Sequence, residues 1–310
     1  FKFIPGRKTM SIRTAGVSAL LALCATLMLF LLAVQCKGRG KEAFIPLPEH
    51  PRPDFMRSDW MNLNGQWDFS LDSLETGELH GWPKGDVPFP QKITVPFSWA
   101  APLSGIGVKD IHVAWYARDI SVPGNWKRKR VFLIIGACDF VASVWLNGKP
   151  LGTHEGGYIP FEFDLTDSLS PHGSNRLVIR VEDKPVRGRL TGKQVYGEAK
   201  GIWQTVYLEA RPAVHITSLR FIPDIEKEQA KVEVLLSGKL RRGLSLEVAF
   251  PNGEASAVRT DIPMGSGGAS LVIPIPRARL WSPEDPYLYD VEASLVQDSE
   301  KIDRVRSYFG

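Results

Sequence analysis

Three groups of side chains in this sequence have the types that catalysis requires. Two are pairs of neighbouring carboxylates, Glu182-Asp183 and Glu284-Asp285, and the third is the thiol of Cys138. A pair of carboxyl groups can divide the roles of general acid and of base or nucleophile, and a thiolate is itself a nucleophile. Each role depends on where the side chain lies, which the neighbouring residues indicate.

The neighbouring residues favour a structural role for all three groups. Glu182-Asp183 follows a predicted strand, and Glu284-Asp285 lies in a turn bounded by prolines; carboxylates at such positions are normally solvated. Cys138 follows an apolar run and has no nearby His, which is typical of a small buried hydrophobic residue. We therefore expect none of these groups to be catalytic, and we expect neither a metal ion nor a cofactor.

The first 36 residues have the pattern of an export signal. The run Thr14–Cys36 contains no charged side chain and is rich in Leu and Ala, and it follows the basic residues Lys2, Arg7, Lys8 and Arg13. Such a leader can be cleaved, can remain as a membrane anchor, or can be lipidated at Cys36. We expect an exported protein, periplasmic or at the cell surface, whose only membrane contact is the leader or a lipid anchor.

The charge of the remaining chain argues against nucleic acid as a partner. Without the leader, the 38 basic and 34 acidic residues of the sequence become 34 of each. Nucleic-acid binding would require Lys and Arg clustered on one face. Two of the three cysteines lie in the leader, so Cys138 has no partner for an internal disulfide after it.

Short apolar or alternating runs, separated by Asn, Gly and Pro turn signals, predict an all-β fold. The runs are Val131–Ile135, Ala142–Leu146, Arg176–Val181, Gly201–Leu208, Lys231–Leu236, Ser245–Phe250, Ala269–Ile275 and Tyr289–Val296. Many short strands at this spacing favour sandwiches over a parallel sheet. We predict a leader over 1–36, a linker over 37–50, a jelly-roll sandwich over 51–211 and an immunoglobulin-like sandwich over 212–310.

Seven short motifs follow one another along the chain in a recognisable order and spacing. They are Asn64–Phe69, Val95–Trp99, Trp115–Arg118, Val144–Phe161, Gly201–Glu209, Leu280–Tyr289 and Arg306–Gly310. These motifs resemble the sugar-binding and immunoglobulin-like domains of glycoside hydrolase family 2, which includes β-galactosidases, β-glucuronidases and β-mannosidases. The resemblance implies a retaining glycosidase acting on β-glycosides, with its two catalytic carboxylates in a following (β/α)₈ barrel that is absent from this chain.

The resemblance also implies a loop that reaches toward the sugar. In members of the family the segment before the motif at Gly201 approaches the barrel, and here it is Arg187–Lys200. We expect Gln194, Tyr196 and Arg189 to bind substrate. Val195 stands where bacterial β-galactosidases carry an Asp that helps to bind substrate and a sodium ion, so the resemblance does not extend to that metal site.

Two further expectations concern local structure. Asn147-Gly148 predicts a tight hairpin turn, because Asn and Gly tolerate the positive φ that such a turn requires. The tryptophans that lie in or beside predicted strands are expected to pack in the core rather than to stack on sugar; they are Trp67, Trp115, Trp145 and Trp203.

Three classes of function therefore remain open for the chain. It is the accessory part of an exported glycosidase, a carbohydrate-binding module without catalysis, or a surface scaffold protein, since a sandwich fold alone does not determine function. Nothing in the sequence indicates the oligomeric state.

Overall fold

The computed structural model of the chain describes residues 44–170, 173–184, 199–240 and 242–310. Residues 45–310 form one compact unit. The predicted leader over 1–36 and the lipidation candidate Cys36 lie outside the described residues. Helical structure in the described ranges consists of four 3₁₀ turns, at Trp82–Lys84, Pro102–Ser104, Gly124–Trp126 and Thr166–Ser168. No helix of that part of the chain has the length and apolar character needed to cross a membrane.

The first sandwich contains twelve strands within the described residues. They are β1 (Trp60–Asn62), β2 (Gly65–Leu71), β3 (Gln91–Val95), β4 (Val113–Ile120), β5 (Arg130–Ile135), β6 (Cys138–Asp139), β7 (Val141–Leu146), β8 (Lys149–Glu155), β9 (Phe161–Asp164), β10 (Asn175–Glu182), β11 (Gly201–Ile202) and β12 (Val206–Arg211). A four-stranded sheet in the order β1-β12-β5-β9 faces a six-stranded sheet in the order β3-β2-β4-β10-β7-β8, and β11 pairs with β6.

Alternation along the strands places one apolar set between the two sheets. In β10, Leu177, Ile179 and Val181 point into the main core, whereas Val178 belongs to a smaller cluster on the outer face of the six-stranded sheet. This period of two is what a strand in a sheet produces, and it agrees with the apolar pattern of the sequence. The predicted run Arg176–Val181 is confirmed as a strand.

The second sandwich contains seven strands. They are β13 (His215–Asp224), β14 (Gln229–Ser237), β15 (Leu244–Ala249), β16 (Val258–Asp261), β17 (Gly268–Pro274), β18 (Tyr289–Gln297) and β19 (Glu300–Phe309). A three-stranded sheet, β13-β14-β17, faces a four-stranded sheet, β16-β15-β18-β19. Seven antiparallel strands over about a hundred residues is the size of an immunoglobulin-like sandwich. The predicted all-β class, with a sugar-binding sandwich followed by an immunoglobulin-like one, is confirmed.

The predicted hairpin turn at Asn147-Gly148 is also confirmed. Both residues have positive φ, 53° and 77°, and they connect β7 to β8. The side chain of Asn147 additionally accepts a hydrogen bond from the Arg176 backbone N–H and donates one to the Asn175 side chain. The turn is therefore tied to the neighbouring strand β10.

One predicted strand is divided in the structure. The run Gly201–Leu208 forms two strands rather than one, because β11 pairs with β6 whereas β12 pairs with β5 and β1. Between them, the backbone N–H groups of Trp203 and Gln204 both point to the carbonyl of Ala137. This turn carries the chain from the small two-stranded sheet to the four-stranded one.

The segment before β1 contacts both sandwiches. Asn64 donates a side-chain hydrogen bond to the carbonyl of Pro46, and the ring of His50 packs edge-on against Trp60 at 4.6 Å. Farther along, Met56 exchanges two backbone hydrogen bonds with Arg306 in β19. Residues 46–57 thus connect the first sandwich to the last strand of the second.

Candidate functional site

The residues predicted to bind substrate fall in a segment that is described only at its two flanks. Arg189, Gln194 and Tyr196 lie outside the described residues, as does Val195. The candidate site is therefore defined by the end of β10 with Asp183 and Lys184, and by Ala199 and Lys200 before β11. We call the part between these flanks the 185–198 segment.

Both flanks of this segment meet at His112. The Asp183 backbone N–H donates to the His112 carbonyl at 2.8 Å, and the His112 Nδ1 atom lies 3.0 Å from the carbonyl oxygen of Asp183. The same Nδ1 atom lies 3.2 Å from the Lys200 Nζ atom. The residues on either side of the 185–198 segment are thus held together at one end of the first sandwich.

Lys200 is held on its backbone as well. Its N–H donates to the Ser98 hydroxyl at 2.8 Å, and its carbonyl accepts a hydrogen bond from Trp99 N–H at 3.1 Å. The residue is only 1% exposed, which is rare for a lysine unless its charge is compensated. The position after it also restricts the chain, because an added Cβ at Gly201 would overlap the Tyr116 hydroxyl and the Trp99 ring.

Sequence reasoning missed the role of His112, Ser98 and Lys200 in holding this segment. In the sequence, only the positions of two of these residues could have pointed to this role. Ser98 lies in the motif Val95–Trp99, and Lys200 directly precedes the motif that begins at Gly201. His112 lies in no motif, so its contacts with both flanks could not be read from the sequence.

An aromatic pair lies on the surface formed by the residues after β8 and after β11. Tyr158 is 76% exposed, and its ring lies 6.1 Å from that of Trp203 in an edge-on arrangement. The Trp203 indole N–H donates to the Gly157 carbonyl at 2.8 Å, which fixes the ring plane. Core packing was expected for Trp203, but the residue is only partly buried.

The other three tryptophans pack against protein. Trp67 and Trp115 are almost completely buried, as expected. Trp145 stacks on Trp115 at 5.5 Å on the outer face of the six-stranded sheet, where Trp82 also contacts Trp115. Trp145 is only partly buried, and Trp115 covers one face of its ring.

One member of each carboxylate pair, Glu182 and Asp285, lies in surroundings that favour its ionised form. Burial alone would raise the pKa of Glu182, but a hydrogen bond from Arg180 and the charges of Arg180 and Lys184 lower it overall. A hydrogen bond from Arg279 likewise lowers the pKa of the exposed Asp285. A catalytic general acid needs a raised pKa, and neither group has one.

Cys138 is chemically inert where it lies. It is completely buried in the core of the first sandwich, and burial raises the pKa of its thiol well above the ordinary value. A thiol held in its protonated form is a poor nucleophile. The expectation of a small buried hydrophobic residue is confirmed. Within the described ranges, no three His, Cys, Asp or Glu side chains are grouped as a metal ion would require.

The fold and the site place the chain in a class of all-β proteins in which a sugar-binding sandwich precedes an immunoglobulin-like sandwich. The family model described as "Glycosyl hydrolases family 2, sugar binding domain" matches residues 60–212, and the model described as "Glycosyl hydrolases family 2" matches residues 214–310. The chain belongs to glycosyl hydrolase family 2.

Curated relatives include a β-galactosidase of Thermoanaerobacter pseudethanolicus, 31% identical over 62% of this chain and 27% of the relative. A β-glucuronidase of Paenibacillus borealis is 26% identical over 78% of this chain and 43% of the relative. The chain thus spans less than half the length of these relatives. Among solved structures, the β-glucuronidase of Lactobacillus rhamnosus shares the fold, with a TM-score of 0.65 at 22% identity over 82% of this chain and 45% of that one.

Proposed function

We propose that this chain is the N-terminal accessory part of an exported, retaining glycosidase, and that Arg189, Gln194 and Tyr196 contact the sugar in its active site. The relatives are β-galactosidases and β-glucuronidases by name, so the substrate class proposed is a β-glycoside, with β-galactosidase-like hydrolysis of the O-glycosyl bond. The catalytic acid and nucleophile are proposed to come from a separate barrel domain.

The observation that carries this proposal is the convergence of both flanks of the 185–198 segment on His112. A residue that orients a substrate must be held within about half an ångström of its productive position. The backbone hydrogen bond from Asp183 to His112, the contact of Lys200 with His112 and the bond of Lys200 to Ser98 supply such an anchorage for the two flanks of the segment.

The carboxylates of the described residues support a non-catalytic role for the chain itself. Each described carboxyl group with a clearly shifted pKa has it lowered, as at Glu182 and Asp285. A retaining glycosidase needs one protonated carboxylic acid beside a carboxylate nucleophile. The described residues contain no carboxyl group prepared for the first of these roles.

A substitution at Gln194 tests the substrate-contact proposal. In the enzyme that carries this chain, Gln194→Ala should lower kcat/KM on an aryl β-glycoside about tenfold, since a lost hydrogen bond to substrate costs about 1.4 kcal/mol. The matched control is Gln66→Ala, which replaces an exposed glutamine in β2 whose side chain donates to the Thr94 hydroxyl, and it should leave kcat/KM unchanged. Equal kinetics for the two variants would contradict the proposal.

Export remains part of the proposal on the strength of the leader pattern alone. N-terminal sequencing and lipid labelling of the mature protein would distinguish a cleaved leader, a retained anchor and lipidation at Cys36. Retention of the full leader in a cytoplasmic protein would contradict export.

A further inference from the structure

Asparagine followed by glycine can react without a catalyst, and the chain contains this pair at three places. The pairs are Asn64-Gly65, Asn147-Gly148 and Asn252-Gly253. The backbone nitrogen of the glycine can attack the side-chain amide carbon of the asparagine, and glycine leaves this approach open because it has no Cβ. The asparagine side chain and the following peptide must first rotate toward each other. The contacts of each pair therefore control whether it reacts.

The amide of Asn64 is held at both ends in the core. The residue is completely buried, and its Oδ1 atom accepts a hydrogen bond from the Val206 backbone N–H at 3.0 Å. Its Nδ2 atom donates to the Pro46 carbonyl at 3.0 Å and to the Thr205 hydroxyl at 3.2 Å. Rotation of this amide would break bonds that water does not replace in a buried site. Asn64 is therefore protected from the reaction.

The amide of Asn147 is also held at both ends, although the residue is exposed. Its Oδ1 atom accepts a hydrogen bond from the Arg176 backbone N–H at 2.9 Å. Its Nδ2 atom donates to the Asn175 side chain at 2.8 Å and to the Ser168 carbonyl at 3.1 Å. All three bonds would have to break before the amide could turn toward the Gly148 nitrogen.

Asn252 is much less constrained. It lies with Gly253 in an exposed turn between β15 and β16. Within the described residues its side chain makes one hydrogen bond, from Nδ2 to the Asp290 carboxylate at 3.2 Å. The Gly253 N–H donates to the Phe250 carbonyl at 3.0 Å, but this bond closes a turn whose residues 251–253 are exposed, and such turns open readily.

We propose that Asn252 is a site of spontaneous deamidation, with water as the co-reactant. The Gly253 nitrogen forms a bond to the Asn252 Cγ atom, the Cγ–Nδ2 bond breaks, and ammonia leaves with the proton of the former Gly253 N–H. Water then adds to either carbonyl of the resulting succinimide and opens the ring. The product is aspartate or isoaspartate at this position, and nothing is oxidised or reduced.

The reaction changes the contact between this turn and β18. The amide that donates to Asp290 becomes a carboxylate, which cannot donate, and the two negative charges repel each other. The turn thus loses its side-chain bond to β18, and the second sandwich gains a negative charge. This inference is independent of the glycosidase proposed above, because it involves only groups of the second sandwich and water.

The test incubates the purified 310-residue chain at mildly alkaline pH in water enriched in heavy oxygen, and follows each Asn-Gly pair by peptide mass spectrometry. Asn252 should deamidate at least about tenfold faster than Asn64 and Asn147, the factor that corresponds to one further net hydrogen bond broken before the attack. The new carboxyl group should contain heavy oxygen, with isoaspartate present beside aspartate. In guanidinium chloride, where the chain is unfolded, the three pairs should react at similar rates. A rate at Asn252 in the folded chain no higher than that at Asn147 would overturn the proposal.

The variant Asn252→Gln is the matched control for the site. It keeps a primary amide at an exposed position, but attack by the Gly253 nitrogen would have to close a six-membered ring, which forms far more slowly. Isoelectric focusing should show an acidic form accumulating in the unaltered chain and much less of it in the variant. Equal accumulation in both would place the reaction elsewhere and overturn the proposal.

Discussion

Gly201 shows how one residue positions the candidate site. Its φ of 81° is unfavourable for any residue with a Cβ, and an added Cβ would lie 2.5 Å from the Trp99 ring and against the Tyr116 hydroxyl. Both aromatic side chains are completely buried and cannot move aside at little cost. The absence of a side chain here lets β11 pair with β6 directly after Lys200.

We expect Gly201→Ala to lower the free energy of unfolding by about 3 kcal/mol, because backbone strain and overpacking act together. The matched control is Gly265→Ala: Gly265 has almost the same φ, 80°, but no atom within 4 Å of an added Cβ. Backbone strain alone should lower the free energy of unfolding of Gly265→Ala by about 1 kcal/mol. Urea denaturation of both variants measures the difference, and equal losses would contradict the steric explanation.

At the scale of elements, two histidines whose environment favours the neutral ring lie in segments that connect the strands. Burial lowers the pKa of His215, at the start of β13; a hydrogen bond to the Pro212 carbonyl opposes this, and the charges of Arg57 and Arg211 add to the lowering. Burial also lowers the pKa of His50, in the segment before β1. Both rings must gain a proton in a place that disfavours charge when the solution is acidified.

Stability should therefore fall with acidity. A histidine whose folded pKa is below its unfolded value of about 6.5 gives its full contribution above that pH and loses it as the pH falls toward the folded pKa. Urea denaturation between pH 7.5 and roughly pH 5 should show this decline. His215→Gln should reduce the slope, whereas His80→Gln, at an exposed position, should not. An identical slope in both variants would contradict the assignment to His215.

The strands were largely predictable from the sequence, and their pairing was not. Val131–Ile135 and Lys231–Leu236 were predicted and lie within β5 and β14, because an apolar pattern with a period of two is a local property. The division of Gly201–Leu208 into β11 and β12 depends instead on partners more than sixty residues away, such as Asp139. The spacing of residues along the sequence does not indicate which strands pair with each other.

The same limit applies to the candidate site. The family resemblance predicted a substrate-contacting loop at Arg187–Lys200, but the motifs did not indicate His112, which contacts both flanks of that segment. Sites formed by several separate segments require the tertiary structure.

At the scale of the whole molecule, Arg57 connects the two sandwiches. It donates two hydrogen bonds to Asp303 of β19 and one to Glu209 of β12, all at 3.0 Å. The three side chains are no more than 3% exposed. The arginine also donates to the Ile216 carbonyl at 2.5 Å, at the beginning of the second sandwich. One cation therefore compensates a carboxylate from each domain.

We expect Arg57→Met to lower the free energy of unfolding by about 3–5 kcal/mol, because the buried Asp303 loses its arginine and the buried Glu209 keeps Arg211 alone as an ion-pair partner among the described residues. Arg279→Met is the control with matched chemistry: Arg279 also forms a bidentate pair with an aspartate, Asp285, but both side chains are about half exposed. Its loss should be under about 1 kcal/mol. Chemical denaturation compares them, and adding Glu209→Gln and Asp303→Asn to Arg57→Met should recover part of the loss. A small effect of Arg57→Met would contradict the role of this residue as the connection.

Our central proposal is that this chain supplies accessory sandwiches to a glycosidase and performs no hydrolysis itself. The most direct measurement is the release of nitrophenol from aryl β-galactosides and β-glucuronides by the purified 310-residue chain, compared with the protein that includes a catalytic barrel. We predict release by the latter and none by the chain alone, because the described carboxyl groups that have a shifted pKa, such as Glu182 and Asp285, have it lowered, whereas a general acid requires a raised one. Turnover by the chain alone, abolished by a single carboxylate substitution within it, would contradict the claim.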